Sequence, residues 1–123
     1  MASGSLPAMR RPTVSFEAMD VVVVPFPFTD GPAAKRRPAL VLSRTDIFGG
    51  PSGHSVMAMI TSAKHVSWPL DVEISDLDAA GLPAPSVVRM KLFTLDHRLV
   101  LRTAGRLSDI DVARVRRAVE ELF

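Results

Sequence analysis

The chain contains no cysteine among its 123 residues. That excludes a disulfide scaffold, thiol catalysis and a cysteine-rich zinc site. It is compatible with a reducing compartment, and a cytoplasmic location is expected. Long hydrophobic runs are also missing. The longest, Val21–Phe28, is of strand length and carries Pro25 and Pro27, whereas a membrane helix needs ~20 apolar residues. The N-terminus lacks the apolar core of a secretion signal. No charge sign dominates: 15 Lys and Arg stand against 13 Asp and Glu, for a net of +2. By itself that balance does not mark a nucleic-acid binder. Lysine is scarce, with only Lys35, Lys64 and Lys91. The remaining basic residues are arginines, which suit bidentate phosphate contacts, although GC-rich coding produces the same bias. His54, His65 and His97 share no metal-ligand spacing, so no zinc site and no cofactor are expected.

What is present describes one folded domain. At 47% hydrophobic and 23% charged residues, the chain is no disordered polyelectrolyte. A chain of this length buries ~65–70% of its unfolded surface, enough for one core. Residues 1–15 read as a flexible N-terminal arm and 16–123 as a single domain. Asp20–Phe26 is short and β-branched and predicts a buried strand. Pro25, Pro27, Asp30-Gly31 and Pro32 then predict a loop over about 26–35. Further strands are predicted over 37–43 and 55–62, with a Gly/Pro turn at 49–53 between them, and over 68–74, where apolar and acidic residues alternate. Residues 75–85 predict loop with at most one helical turn. Three short strands follow at 86–90, 91–95 and 99–105, with a turn at Asp96-His97. Ser108 reads as the N-cap of an amphipathic helix over 109–122, with Asp109 and Asp111 in its first turn and Ile110, Val115, Val119 and Leu122 on its apolar side. Many short strands with one terminal helix predict a small β-barrel.

The order of these segments resembles the PemK/MazF family of toxins from bacterial toxin–antitoxin pairs. The resemblance rests on Asp20-Val21-Val22-Val23-Val24-Pro25-Phe26, Arg36-Arg37-Pro38-Ala39-Leu40-Val41-Leu42 and Met59-Ile60-Thr61-Ser62. It continues through Asp71-Val72-Glu73-Ile74, Gly81-Leu82, Pro85-Ser86-Val87-Val88-Arg89 and Phe93-Thr94-Leu95-Asp96, with Ile110 opening the terminal helix. It implies an SH3-like (PemK/MazF/CcdB-type) barrel, mainly β, that forms a homodimer. It also implies sequence-selective cleavage of single-stranded RNA without a metal, held off by a cognate antitoxin that fills the RNA groove. Two positions depart from the family. Met19 stands where Gly is common, so the entry into the first strand is expected to differ. Met90 and Lys91 stand where some members carry a catalytic acid.

Metal-free RNA cleavage makes the 2′-OH attack its own phosphate. The reaction needs a proton acceptor, a proton donor for the leaving oxygen, and positive donors around the phosphorane. The resemblance places the catalytic Arg on Arg37 and the site Thr on Thr61, with Arg89 as a secondary donor. Arg36, Phe28, Ser62, Lys64 and Lys91 are the expected RNA-binding residues. The base is left open between the phosphate itself, a water and a neighbouring hydroxyl. His65 lies nearest the site in sequence and reads either as a proton shuttle or as a solvent-exposed ring. Asp20 either orients the site or only starts its strand. Trp68 either stacks on a base or packs in a core or dimer contact. Phe26 and Phe28 are stacking candidates or staples of the loop. Arg114, Arg116 and Arg117 read as a solvated helix face. The competing functional readings are a non-catalytic binding module on the same barrel, such as a topoisomerase-poisoning or inactive toxin, and a general RNA-binding barrel.

Overall fold

The computed structural model describes residues 15–27 and 35–123. The arm expected over 1–15, most of the loop expected over 26–35 and Phe28 lie outside the described residues. Six strands form one antiparallel sheet: β1 Asp20–Phe26, β2 Lys35–Val41, β3 His54–Ser62, β4 Val72–Glu73, β5 Ser86–Asp96 and β6 Arg102–Arg106. Their spatial order is β4-β5-β3-β2-β1-β6. Three helices accompany them: α1 Gly50–Ser52, which continues a π-helical turn over Thr45–Gly49, the single-turn α2 Leu77–Ala80, and α3 Asp109–Leu122. The sheet curls into a half-barrel, with α3 packed beside β4 and β5 and α2 against β6.

The unbroken valine run of β1 follows from burial on both faces. Val21 joins Leu40, Ala58, Ile60, Val88 and Val115 in the cluster between sheet and α3. Val22 and Val24 join Ala39, Val41, Met57 and Leu95 in a second cluster on the other face. Each fully buried side chain of this size contributes ~1.5–3 kcal/mol relative to exposure. Met19 enters β1 at φ +76, a left-handed conformation disfavoured for a side-chain-bearing residue. Its N–H donates to Val41 O (2.7 Å) and its carbonyl accepts from Leu107 N–H (3.1 Å), while the side chain is buried. The departure from glycine is therefore absorbed by packing and hydrogen bonding.

Several expected boundaries shift. β2 begins at Lys35 and brings Arg36 and Arg37 into the ladder, opposite Pro25 and Val24. The strand expected over 68–74 shrinks to β4. Trp68–Asp71 is instead a turn, with Leu70 at φ +66 and Asp71 Oδ2 accepting from Trp68 N–H at 2.9 Å. The two strands expected over 86–95 are one strand, β5, with an irregularity at the expected break. Ala58 pairs with Leu92 and Met59 with Arg89, so Met90 and Lys91 are extra residues in the ladder. The strand expected over 99–105 starts later, because His97–Leu99 forms a 3₁₀ turn capped by Asp96. That turn buries His97, whose Nε2 lies 2.7 Å from Ser55 Oγ.

α3 has its expected bounds, and Ser108 Oγ accepts from Asp111 N–H at 3.3 Å. Its inward face is different: Asp111, Val115 and Ala118 are buried, while Ile110 is 69% exposed and Leu122 is also exposed. Asp111 is a tie between elements. Its carboxylate accepts from Ser75 N–H (3.0 and 3.1 Å), Ser75 Oγ–H (2.8 Å), Asp76 N–H (3.2 Å) and Arg114 (3.2 Å). Burial opposes its charged form, but the bonds from Ser75, Asp76 and Ser108 outweigh it and hold the carboxyl below the usual carboxylate range.

Candidate active site

The antiparallel register of β2 and β3 builds the site. Ala39 pairs with Met59. The pairing ends there, and Arg37 and Thr61 lie two residues beyond it on β2 and β3. Both line a groove of about 480 Å³ whose walls include Phe26, Ser62, His65 and Lys91. A rim of Leu82–Pro85 completes it; nothing in the composition of that Pro-rich stretch marked it as site-forming. Lys91 reaches the groove from the irregularity of β5, where two extra residues re-aim the strand. Among the described lining residues there is no carboxylate, and the charged ones are Arg37 and Lys91.

The chain leaving β3 turns sharply. His65 N–H donates to Ser62 O at 3.2 Å, and Lys64 N–H donates to Ser62 Oγ at 3.2 Å. This turn brings the imidazole back over the strand, with His65 Nδ1 2.8 Å from Thr61 Oγ1. A histidine four residues after a strand threonine carries no periodic signal. Only the turn makes the two neighbours.

Arg89 is not among the groove-lining residues. It is 9% exposed, and its guanidinium donates to Asp71 (Nε to Oδ1 3.2 Å, Nη2 to Oδ2 3.0 Å) and to Val66 O (2.7 Å). The guanidinium also lies 5.0 Å from the centre of the Trp68 ring, and Lys91 Nζ lies 5.9 Å from it. Trp68 is therefore neither a core residue nor free-standing, but half-exposed over a cationic pair. Asp71 falls in the stretch whose alternation predicts a strand. It instead holds Arg89. Burial disfavours its charge, but Arg89 and the Trp68 N–H more than offset this and keep the carboxyl below its ordinary range.

The other expected residues are placed as follows. Arg36 and Lys64 are exposed and outside the groove lining, and Ser62 is within it. Asp20 accepts from Glu17 N–H (3.0 Å) and Arg106 (2.9 Å) at the start of β1, away from the groove. His54 opens β3, its Nδ1 2.9 Å from Ser52 O. Arg114 and Arg117 line a separate shallow groove beside Leu70–Val72, and Arg116 lies apart from it.

A curled antiparallel half-barrel with one terminal helix thus carries a groove, beside the ends of β2 and β3, whose charged residues among those described are Arg37 and Lys91. The model of the PemK-like, MazF-like toxin of type II toxin–antitoxin systems matches residues 17–123, so the chain belongs to this family. The fold is shared with a MazE–MazF complex from Deinococcus radiodurans (TM-score 0.70, 24% identity, covering 89% of this chain and 96% of that one). It is shared as well with Mycobacterium tuberculosis toxin MazF-mt6 (TM-score 0.65, 21% identity, 83% and 93%). A third similar structure is an endoribonuclease in complex with its cognate antitoxin from a mycobacterial species (TM-score 0.65, 15% identity, 87% and 93%). No curated protein matches the chain by sequence.

Proposed function

We propose that this toxin is a metal-independent, sequence-selective endoribonuclease acting on single-stranded RNA. The observation that carries the reading is that Arg37 and Thr61 line one groove whose charged residues, among those described, are Arg37 and Lys91. Arg37 offers planar N–H donors to the phosphate and stays charged at working pH. The Thr61 hydroxyl donates to a non-bridging oxygen or orients a neighbouring group. Donors preorganised at developing charge are worth ~10²–10³ apiece. Ser62 and Lys91 extend the phosphate-binding surface along the groove, and Phe26 offers an apolar wall for a base. Arg36 and Lys64 lie outside this lining and fit an electrostatic role along the flanking RNA. Arg89 is better read as a positioning residue than as a phosphate donor, since Asp71 and Val66 already engage its N–H groups.

The cognate antitoxin is proposed to neutralise the toxin by occupying the same groove, and the toxin to act as a homodimer. The MazE–MazF and endoribonuclease–antitoxin complexes of the similar structures support an antitoxin partner.

The test is incubation of purified protein with a long unstructured RNA in excess chelator, followed by sequencing of new ends, with Arg37→Ala in parallel. Cuts at a short recurring sequence, bearing 5′-hydroxyl ends and lost in the variant, are expected. A folded protein that gives no cuts above the variant would overturn the nuclease reading in favour of a binding module on the same barrel.

A further inference from the structure

We propose that His65 is the general base of this site, taking the 2′-hydroxyl proton, and that Thr61 fixes its tautomer. The inference rests on the ribonuclease reading above. Its starting point is elimination within the groove. The described side chains that line it and carry exchangeable protons are Arg37, Thr61, Ser62, His65, Ser86 and Lys91. Arginine is proton-saturated and lysine is a cation near neutrality, and hydroxyls are weak bases. Imidazole is the one side chain in that set suited to accept a proton near neutral pH.

Geometry supports the same residue. His65 Nδ1 lies 2.8 Å from Thr61 Oγ1. With Nδ1–H donating to that oxygen, the lone pair of Nε2 is left to accept a proton, and the ring orientation is held by the hydroxyl. A purely local contact that closes the turn is the plain alternative. The turn, however, is already closed by His65 N–H to Ser62 O and Lys64 N–H to Ser62 Oγ. The next residue is anchored separately, because Val66 O accepts from Arg89 at 2.7 Å. The imidazole–hydroxyl contact is therefore not needed to shape the loop. It orients a ring that the backbone has already brought to the groove.

In the proposed step, the 2′-OH proton passes to Nε2 as the P–O2′ bond forms. The P–O5′ bond breaks, its electron pair stays on O5′, and water supplies the proton that makes the 5′-hydroxyl. The imidazolium then returns its proton to solvent, the upstream (5′) fragment ends in a 2′,3′-cyclic phosphate, and the downstream fragment carries the 5′-hydroxyl. The charged groups that share the groove are Arg37 from β2 and Lys91 from β5; Phe26 from β1 and the Leu82–Pro85 rim add none. Both cations can stabilise the phosphorane while the neutral imidazole works as base.

The experiment measures single-turnover cleavage of an RNA carrying one mapped cut site, from pH 5 to 9 in chelator, with RNA affinity measured in parallel. Wild type is expected to gain rate with pH and then level off. His65→Gln, which can keep a hydrogen bond to Thr61, is expected to lose roughly 10²-fold in rate, lose the rising limb and keep RNA affinity within about three-fold. Added imidazole is expected to restore part of the His65→Ala rate. His65 is exposed, so both variants should fold. An active wild type whose His65→Gln form cleaves within three-fold, on the same pH profile, overturns the assignment and leaves the ribonuclease reading standing. A ten-fold or greater loss of RNA affinity in His65→Gln overturns it in favour of a binding role. Rescue of His65→Gln by an RNA with sulfur in place of the leaving O5′ overturns it too, since that pattern marks a general acid. A wild type without any cleavage removes the ribonuclease reading and this one together.

Discussion

Arg37 and Arg89 illustrate how two residues of one type take different work from their surroundings. Arg37 is exposed and lines the groove together with Thr61. Arg89 is buried and bound to a carboxylate and a backbone carbonyl. Arg37→Ala is expected to lower single-turnover cleavage by ~10²–10³-fold, and Arg37→Lys to recover only part of it, because a point charge lacks the planar fork. Thr61→Val keeps the strand shape while removing the hydroxyl that contacts His65 Nδ1 and is proposed to meet the phosphate. A loss of about ten-fold or more is expected by the same assay, and normal cleavage by this variant would remove the hydroxyl from the mechanism. Arg89→Met is expected to leave the groove donors in place and free residues 66–71. Faster amide hydrogen exchange in that segment is the reading, with a smaller drop in cleavage than Arg37→Ala gives.

At the scale of elements, two close approaches hold the helical pieces on the sheet. Gly105 of β6 faces α2 so tightly that an added Cβ would meet Ala79 O at 2.4 Å, and Gly81 sits at φ +72, where a Cβ would meet Ala104 O at 2.0 Å. Gly105→Ala must push α2 off the edge of the sheet. A stability loss of roughly 2 kcal/mol or more is expected in urea unfolding, without direct change at the groove. Asp111 does the corresponding task for α3. Asp111→Ala would leave the Ser75 and Asp76 N–H groups without their carboxylate acceptor. A cost of about 3 kcal/mol is expected in the same measurement. The irregularity at Met90-Lys91 is the element-scale feature tied to the groove, because Lys91 lines the groove from it while Arg89, just before it, bonds Asp71.

For the whole molecule, acid sensitivity follows from two bonded carboxylates, the buried Asp111 and the partly buried Asp71. Asp71 and Asp111 both titrate below their ordinary value in the folded chain. A group with a depressed folded pKa contributes stability above its unfolded pKa, and loses that contribution as pH falls through the folded one. Stability is therefore expected to hold from neutrality down to about pH 4 and to decline below it. Urea titrations at stepped pH check this, and Asp111→Asn should flatten the decline. No helix among the described residues is long and apolar enough to cross a membrane.

Local patterns carried a large part of this. The Val run set β1, because a β-branched stretch bounded by prolines has few other options, and Ser108 with its following acids set the start of α3 to the residue. Arg37 and Thr61 were legible through ordered family motifs, and the break at residues 90 and 91 was visible, though as two strands rather than one irregular strand. Other features depend on residues distant in sequence. Asp71 lies in a stretch whose alternation predicts a strand, whereas its bond to Arg89, 18 positions away, ties a turn to β5. Asp111 looked like a dipole complement until Ser75, 36 positions away, made it a buried acceptor. Ile110 fell near the helical period, yet that period cannot say which flank of the stripe meets the sheet. His65 was nearest the site in sequence, but its worth depended on a turn that local composition did not specify. The sequence by itself determined which segments are strands and helix and which residue types can meet a phosphate, since propensity, periodicity and chemistry are local. Which arginine is open to the groove, which carboxylate is buried and how the imidazole meets Thr61 came from the folded chain, because they depend on turn geometry and on burial by partners far along the sequence.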